Sequence, residues 1–180
     1  MVDRIKIGNR WVGEGEPCFI VAEISANHLQ KKDYALKLIE EAKSAGADAV
    51  KFQTYTPDTM TLDADNEYFK IKGTIWEGRN LYDLYGEAYT PWEWHPKLKE
   101  HASRLSLDFF STPFDSTAVD FLKELEIPVY KVASFELVDL PLLRRIAETG
   151  KPIIMSTGMA SFAEIDEAVR TIQALSLIHI

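Results

Sequence analysis

Short apolar runs alternate with amphipathic segments along this chain, and that alternation limits the possible folds more than any other feature. Five such runs cover residues 19–24, 49–53, 107–111, 128–132 and 152–156. Between the first two, Ala35, Leu38, Ile39 and Ala42 have the i, i+3, i+4, i+7 spacing of a helix with one apolar face. Strands that alternate with helices in this way predict βα units and a parallel sheet.

Turn and capping residues occur where the predicted helices begin and end. The candidates are Gly46 and Gly150 for helix ends, and Asp115, Ser116, Asp139, Pro141 and a Ser161–Glu164 capping box for helix starts. Ahead of the first unit, the pair Gly8-Asn9 lies between alternating flanks and predicts a leading β-hairpin. Another helix is expected near Pro96, after a long insertion at about residues 54–94.

About five βα units fit into the 180 residues. A complete (β/α) barrel needs eight units and typically about 250 residues. We therefore predict an α/β fold that forms the N-terminal part of a parallel TIM-type barrel over residues 1–180. A doubly wound sheet and a small complete α/β domain are the alternatives. Residues 174–180 are mostly apolar and show no strand-to-loop transition, so we expect a truncated chain or a non-native ending.

Composition excludes several classes of protein. The net charge of −8 argues against a general nucleic-acid surface, although a few cations in a cleft could still bind a small anion. No apolar run approaches the roughly 18 residues that a membrane span needs. Cys18 is the one cysteine, so no internal disulfide framework is possible, and the N-terminus lacks the apolar stretch of a secretory signal. We expect a cytoplasmic protein without membrane or nucleic-acid partners.

Two lysines lie inside predicted strands, close to the ends at which parallel α/β folds bind ligands. Lys51 stands between Val50 and Phe52, and Lys131 stands between Tyr130 and Val132. Burying an unpaired ammonium group is costly, so each lysine should meet a carboxylate or an anionic ligand. Either side chain could instead reach solvent or pair with a neighbouring acid. Equivalent positions on two strands favour an anion site.

Other polar residues follow each predicted strand. They are Glu23, Ser25, Asn27 and His28 after the first, Gln53 after the second, Ser111 and Thr112 after the third, Ser134 and Glu136 after the fourth, and Ser156 and Thr157 after the fifth. Gln53 shares a strand face with Lys51, and Glu136 would share one with Ser134 if that strand continued so far. Carboxylates suit proton transfer, but Glu23 and Glu136 could also simply neutralise the lysines. His28 could be a base or a metal ligand, but a lone histidine beside Asn27 does not by itself indicate either role.

The insertion carries many aromatic residues, and long loops over a barrel mouth often act as lids. These residues are Tyr55, Tyr68, Phe69, Trp76, Tyr82, Tyr85, Tyr89, Trp92 and Trp94. Aromatic faces suit both sugar rings and subunit contacts, and composition does not decide between them.

Five motifs, one per βα unit and in the same order, resemble the sialic acid synthase family. They are IVAEISANH at 20–28, KFQT at 51–54, STPFD at 111–115, YKVASFE at 130–136 and STGM at 156–159, within a resemblance that spans about residues 3–172. YTPWEW at 89–94 and ASFE at 133–136 look more like the pseudaminic acid synthases of this family than its N-acetylneuraminate synthases.

The resemblance implies that phosphoenolpyruvate condenses with a 2,4-diacetamido-trideoxy hexose and water to give pseudaminic acid and phosphate. Lys51, Thr112, Lys131, Ser134 and Ser156 match phosphoenolpyruvate-binding positions. Gln53 lines the same pocket, and Glu23 and Glu136 match the carboxylates that handle water or the sugar.

The resemblance also implies parts that this chain lacks. A divalent metal, Mn²⁺ or Mg²⁺, would polarise the aldehyde, and its two histidine ligands belong to later strands. A C-terminal antifreeze-like domain would supply an arginine to the partner's site in a homodimer. We therefore expect the later barrel units and that domain to be absent, and we do not expect this chain alone to be active.

Three other functions stay open. The acceptor could be N-acetylmannosamine or a legionaminate precursor. Lys51 or Lys131 could be the nucleophile of a Schiff-base aldolase. The chain could also be a non-catalytic fragment that binds a ligand or a partner and associates through open sheet edges.

Overall fold

A computed structural model describes residues 4–175. The leading hairpin is confirmed: β1 (Ile5–Ile7) pairs antiparallel with β2 (Arg10–Val12). Gly8 makes the turn at φ +56°, and a Cβ there would collide with the carboxylate of Asp108. Arg10 pairs with Asp48, at the N-terminal side of the second parallel strand. The hairpin therefore packs against the end of the sheet that lies opposite the candidate ligand-binding end.

Five parallel strands form one sheet in chain order and curl into a half-barrel, which confirms the predicted fold class. The strands are β3 (Val21–Glu23), β4 (Ala49–Thr54), β5 (Asp108–Pro113), β6 (Tyr130–Val132) and β7 (Ile153–Met155). The helices are α1 (Lys32–Ser44), α2 (Pro57–Met60), α3 (Leu81–Ala88), α4 (His95–Arg104), α5 (Ser116–Glu124), α6 (Leu140–Ala147) and α7 (Phe162–Gln173). Short 3₁₀ helices occupy Trp92–Trp94 and Phe135–Val138.

The predicted capping residues begin and end the helices. Asp115 accepts from the backbone of Thr117 at the start of α5, and Asp139 accepts from Leu142 at the start of α6. Ser161 and Glu164 form the predicted capping box of α7, and Gly46 and Gly150 take φ values of +87° and +68° after α1 and α6. Local sequence therefore sets where the helices begin and end.

The core lies mainly between the sheet and the helices. Ala35 and Ile39 of α1 and Leu98 of α4 are fully buried on the helix side. Phe52 of β4 stacks on Phe109 of β5 at 5.3 Å between ring centroids. Apolar residues dominate this helix-facing side of β4 and β5, so the polar residues Thr54 and Ser111 stand out there, whereas Lys51 and Gln53 on the opposite face of β4 are partly exposed.

Several predicted strand limits were one or two residues off. The strands expected at 128–132 and 152–156 pair only over Tyr130–Val132 and Ile153–Met155, because the flanking residues make single hydrogen bonds rather than a ladder. The insertion contains α2, α3 and an isolated bridge between Lys70 and Asn80. The expectation about residues 174–180 falls mostly outside the described residues, which stop at 175.

Candidate active site

A salt bridge joins the ends of the first two parallel strands. Glu23 of β3 lies directly opposite Lys51 of β4 in the sheet register, and its Oε2 contacts the Lys51 Nζ. The Lys51 side chain is 14% exposed, whereas that of Glu23 is 45% exposed. Lys51 therefore pairs with a neighbouring acid, one of the alternatives that the sequence left open, and its partner is a carboxylate that solvent can reach.

Lys131 has neutral partners instead. Its Nζ donates to Ser156 Oγ at 2.7 Å and to the backbone oxygen of Val132. Among residues 4–175, no carboxylate lies within ion-pair distance of this ammonium group. The expected carboxylate contact is therefore not made by Lys131, which leaves its charge available to a ligand.

The two ammonium groups are close enough to influence each other. Burial lowers the pKa of Lys131 most, and the positive charge of Lys51 lowers it further, while Glu23 and Glu136 act in the opposite direction. Two cations that repel each other across one cleft favour binding of an anion, which relieves the repulsion.

Ser134 and Glu136 would share one strand face only if β6 continued to them, and it does not. β6 ends at Val132, and Ser134 has helical dihedral angles (φ −65°, ψ −37°) before the 3₁₀ turn Phe135–Val138. A helical turn rotates residues two apart away from each other, so the two side chains point in different directions. Gly158, in the loop after β7, approaches Ser134 so closely that a Cβ would lie 2.9 Å from the Ser134 Oγ.

Glu136 is the second carboxylate of the site. Its Oε2 atom is buried and has no hydrogen-bond partner within the described part of the chain. Burial raises its pKa, which the charge of Lys131 opposes. A buried, unpartnered carboxyl oxygen with a raised pKa is suited to carry a proton.

Gln53 and Thr112 complete the predicted set. They lie opposite each other in the register of β4 and β5, and Gln53 shares the strand face of Lys51. Thr112 is 2% exposed. All eight predicted site residues therefore lie within adjacent parallel strands or just beyond their C-terminal ends.

Sequence reasoning missed a buried polar chain behind this site. His95 Nε2 lies 2.9 Å from Thr54 Oγ1, which lies 2.7 Å from Ser111 Oγ, and all three residues are fully buried. The available signal was Thr54, a polar residue that follows Val50 and Phe52 on the apolar face of β4.

His28 is fully buried, and both of its ring nitrogens have protein partners. Its Nε2 lies 2.9 Å from Thr90 Oγ1, and its Nδ1 accepts from the Gln30 backbone N–H at 3.2 Å. Burial lowers the pKa of His28. The ring therefore ties the loop after β3 to the insertion, and neither nitrogen is available for a metal or a substrate proton.

The aromatic residues of the insertion divide into packed and exposed groups. Trp92 stacks on Phe121 at 4.9 Å and donates from Nε1 to the Tyr55 backbone oxygen at 3.1 Å. By contrast, Tyr68 is 84% exposed and Trp76 is 45% exposed. The YTPWEW segment is thus partly structural, and only the outer aromatic residues are free to contact a sugar or a subunit.

Within residues 4–175, no group of three or more His, Cys, Asp and Glu side chains is placed to hold a metal ion. None of the described helices is both long and apolar enough to cross a bilayer.

Comparisons with known proteins identify the family. Residues 38–179 match the model of the NeuB family. Pseudaminic acid synthase from Helicobacter pylori is 49% identical over 154 residues, which cover 86% of this chain and 45% of that protein. N,N'-diacetyllegionaminic acid synthase from Campylobacter jejuni is 36% identical over 168 residues, 89% of this chain and 50% of that protein. This chain thus spans about half the length of these relatives.

Solved structures of other proteins have the same fold. The N-acetylneuraminic acid synthetase of Leptospira borgpetersenii superimposes with a TM-score of 0.83 at 31% identity, over 96% of this chain and 55% of that one. A truncated 3-deoxy-D-arabino-heptulosonate 7-phosphate synthase from Thermotoga maritima shares the fold alone, with a TM-score of 0.63 at 13% identity over 96% of this chain and 52% of that one. The resemblance predicted from the five motifs is confirmed: this chain belongs to the NeuB family of sialic acid synthases.

Proposed function

We propose that this chain forms the phosphoenolpyruvate-binding part of a pseudaminic acid synthase. The observation that carries the proposal is the pair of strand-end ammonium groups, Lys51 and Lys131, which are close enough for the first to lower the pKa of the second. Phosphoenolpyruvate carries a phosphate and a carboxylate, and ammonium and hydroxyl groups are suitable donors to both. The identity of 49% to a pseudaminic acid synthase supports the choice of product.

In this proposal, five side chains hold the anion. Lys51 and Lys131 neutralise its charge, and Ser156, which already accepts from Lys131 at 2.7 Å, is within reach of the same group. Ser134 and Thr112 add hydroxyl donors, and Gln53 lines the pocket beside Thr112.

The two carboxylates take different roles in the proposal. The incoming anion competes with Glu23 for Lys51, and the carboxylate that it displaces can accept a proton from water. Glu136, whose pKa is raised by burial, carries the proton that the aldehyde oxygen gains. A carboxyl group whose pKa is raised by burial, as that of Glu136 is, suits the role of the acid.

The methylene carbon of phosphoenolpyruvate bonds to the aldehyde carbon of the hexose, and the aldehyde oxygen takes up a proton. Water adds to the carbon that carried the phosphate and loses a proton to a carboxylate. The hydroxyl group on that carbon then loses its proton and becomes the carbonyl of the product, while the bond between the carbon and the bridging oxygen breaks. Phosphate leaves with the bridging oxygen and takes up that proton.

The remaining parts of the proposal concern the longer protein. We propose that residues 1–180 are one part of a TIM-barrel domain and that the active form is a homodimer. The described residues do not fit a metal by themselves, because residues 4–175 contain no three-ligand cluster. We therefore assign no reaction step to the divalent metal, whose ligands would come from later strands.

The test uses a version of the protein extended to the full length of its relatives. We expect phosphate release when phosphoenolpyruvate, Mn²⁺ or Mg²⁺ and 2,4-diacetamido-trideoxy hexose are all present, and slower turnover with N-acetylmannosamine or the legionaminate precursor. Phosphoenolpyruvate labelled with ¹⁸O at the bridging position should yield labelled phosphate. Absence of phosphate release with every amino-sugar acceptor refutes the proposal.

A Schiff-base aldolase is the second candidate, because the lowered pKa of Lys131 is what an amine nucleophile requires. Borohydride reduction in the presence of pyruvate separates the two reactions. A covalent adduct on Lys131 supports the aldolase, whereas an unmodified lysine together with phosphate release supports the synthase.

A further inference from the structure

A polar chain lies between the sheet and the helix layer, on the opposite side of β4 and β5 from the candidate site. His95, at the start of α4, contacts Thr54 at the end of β4, and Thr54 contacts Ser111 within β5, at 2.9 and 2.7 Å. All three residues have no exposed surface. Polar groups at such a depth are costly unless they are paired, and here each has a partner.

The direction of these hydrogen bonds follows from the histidine at one end of the series. His95 Nδ1 lies 3.4 Å from the backbone oxygen of Pro91, which can only accept, so the ring proton is on Nδ1. Nε2 must then accept from the Thr54 hydroxyl, and Thr54 Oγ1 accepts from Ser111. Burial lowers the pKa of His95 to about 4, which agrees with a neutral ring. The hydrogen bonds of this series therefore all run in one direction, from Ser111 to Thr54 to His95, and they join two strands to a helix.

Strand geometry connects these three hydrogen-bonded side chains to the candidate site. Gln53 lies opposite Thr112 in the register, and Thr54 and Ser111 are their immediate neighbours in sequence. Successive side chains of a strand point to opposite faces. Thr54 and Ser111 therefore face the helices, and the adjacent residues Gln53 and Thr112 face the candidate site on the same two strands.

We infer that His95, Thr54 and Ser111 are positioning residues that hold the ends of β4 and β5 in the arrangement that the anion site requires. They do not touch the ligand. They act through Gln53 and Thr112, and the inference rests on the proposed function of that site. Misplacement of binding groups by a fraction of an ångström is enough to weaken a preorganised site.

The test compares Thr54→Val with Thr54→Ser in the full-length protein. Valine keeps the shape of threonine but removes the hydroxyl, which leaves both His95 and Ser111 without their partner. Serine keeps the hydroxyl and loses only a methyl group. We expect Thr54→Val to raise KM for phosphoenolpyruvate, and its Kd measured calorimetrically without acceptor, by about tenfold, the effect of one lost hydrogen bond. Thr54→Ser should stay within about threefold of the unmodified protein, a change of under 1 kcal/mol.

Leu98→Ala is the matched control for stability. Leu98 is also fully buried and belongs to the same helix as His95, but it makes no hydrogen bond to either strand end. We expect this variant to lower Tm at least as much as Thr54→Val and to leave the Kd of phosphoenolpyruvate unchanged. If Leu98→Ala weakens binding equally, the polar chain serves stability alone and the inference is overturned.

Ser111→Ala is the second variant and keeps the test decisive if Thr54→Val does not fold. It removes only the last hydroxyl and should also raise the Kd, because Thr112 follows directly in β5. Unchanged affinity in the folded Thr54 or Ser111 variants overturns the inference. Failure of the proposed function is distinguishable, because then the unmodified protein would neither bind phosphoenolpyruvate nor release phosphate.

Discussion

Gly158→Ala tests whether the Ser134 hydroxyl contributes to the proposed anion site. Gly158 does not have a left-handed φ, so an alanine fits its backbone. The added Cβ would lie 2.9 Å from Ser134 Oγ and 3.5 Å from Ser134 Cβ. The second distance is an ordinary contact, but the first is too short. The serine hydroxyl must therefore rotate away, while the rest of the loop has no reason to move.

The size of the effect follows from that geometry. A hydrogen bond to a charged group contributes about 1.5–3 kcal/mol. If Ser134 donates to phosphoenolpyruvate, its rotation should raise KM by about tenfold to about 150-fold. Folding stability should change by less than about 1 kcal/mol, because a Gly to Ala change at a compatible backbone stabilises by about 0.4–1 kcal/mol and offsets the rotamer change.

The assay is steady-state phosphate release by the full-length protein, with Tm measured in parallel. Ser134→Ala is the matched variant, since it removes the same hydroxyl without adding a Cβ at Gly158. We expect both single variants to raise KM alike, and the double variant to be no worse than either. Fully additive effects, or a normal KM in Gly158→Ala, refute the reasoning that the hydroxyl connects them.

Three further predictions concern charge. Glu23→Gln removes the ion-pair partner of Lys51. Inorganic phosphate should therefore raise Tm more in this variant than in the unmodified protein or in the surface control Glu167→Gln. An equal shift in Tm contradicts competition between phosphate and Glu23 for Lys51. Burial raises the pKa of Glu136, so its contribution to stability is present below its usual pKa of 4.5 and is lost as pH rises through the raised value. Glu136→Gln should accordingly gain Tm over the unmodified protein near neutral pH but not in acid, and a pH-independent difference contradicts this. The pKa of His95 is lowered from 6.5 to about 4, so folding stability should fall as pH decreases from 6.5 to about 4. In His95→Gln, Tm should fall less than in the unmodified protein over the same pH range.

The local features were predictable because they are encoded within a few residues. The capping box at Ser161 and Glu164 and the hairpin turn at Gly8 depend only on their immediate neighbours. The order of strands in the sheet followed from the repeat of βα units, because consecutive units of this kind place their strands side by side. The 3₁₀ turn that separates Ser134 from Glu136 was missed, since a short apolar run does not specify where its strand ends.

Part of the candidate site was also predictable from the sequence. Polar residues at strand ends identified Lys51, Lys131 and the two carboxylates from sequence, because parallel sheets bring the carboxyl ends of their strands to one edge.

By itself, the sequence determined the fold class, the capped ends of several helices and the edge of the sheet where chemistry could occur. Only the tertiary structure decided which groups are partners: Lys51 pairs with Glu23, whereas Lys131 donates to Ser156, 25 residues away. It alone placed His95 against Thr54, 41 residues away. The physical reason is that periodicity and capping act over single turns of the chain, while ion pairs and buried hydrogen bonds depend on the register of strands and the packing of helices across the whole domain.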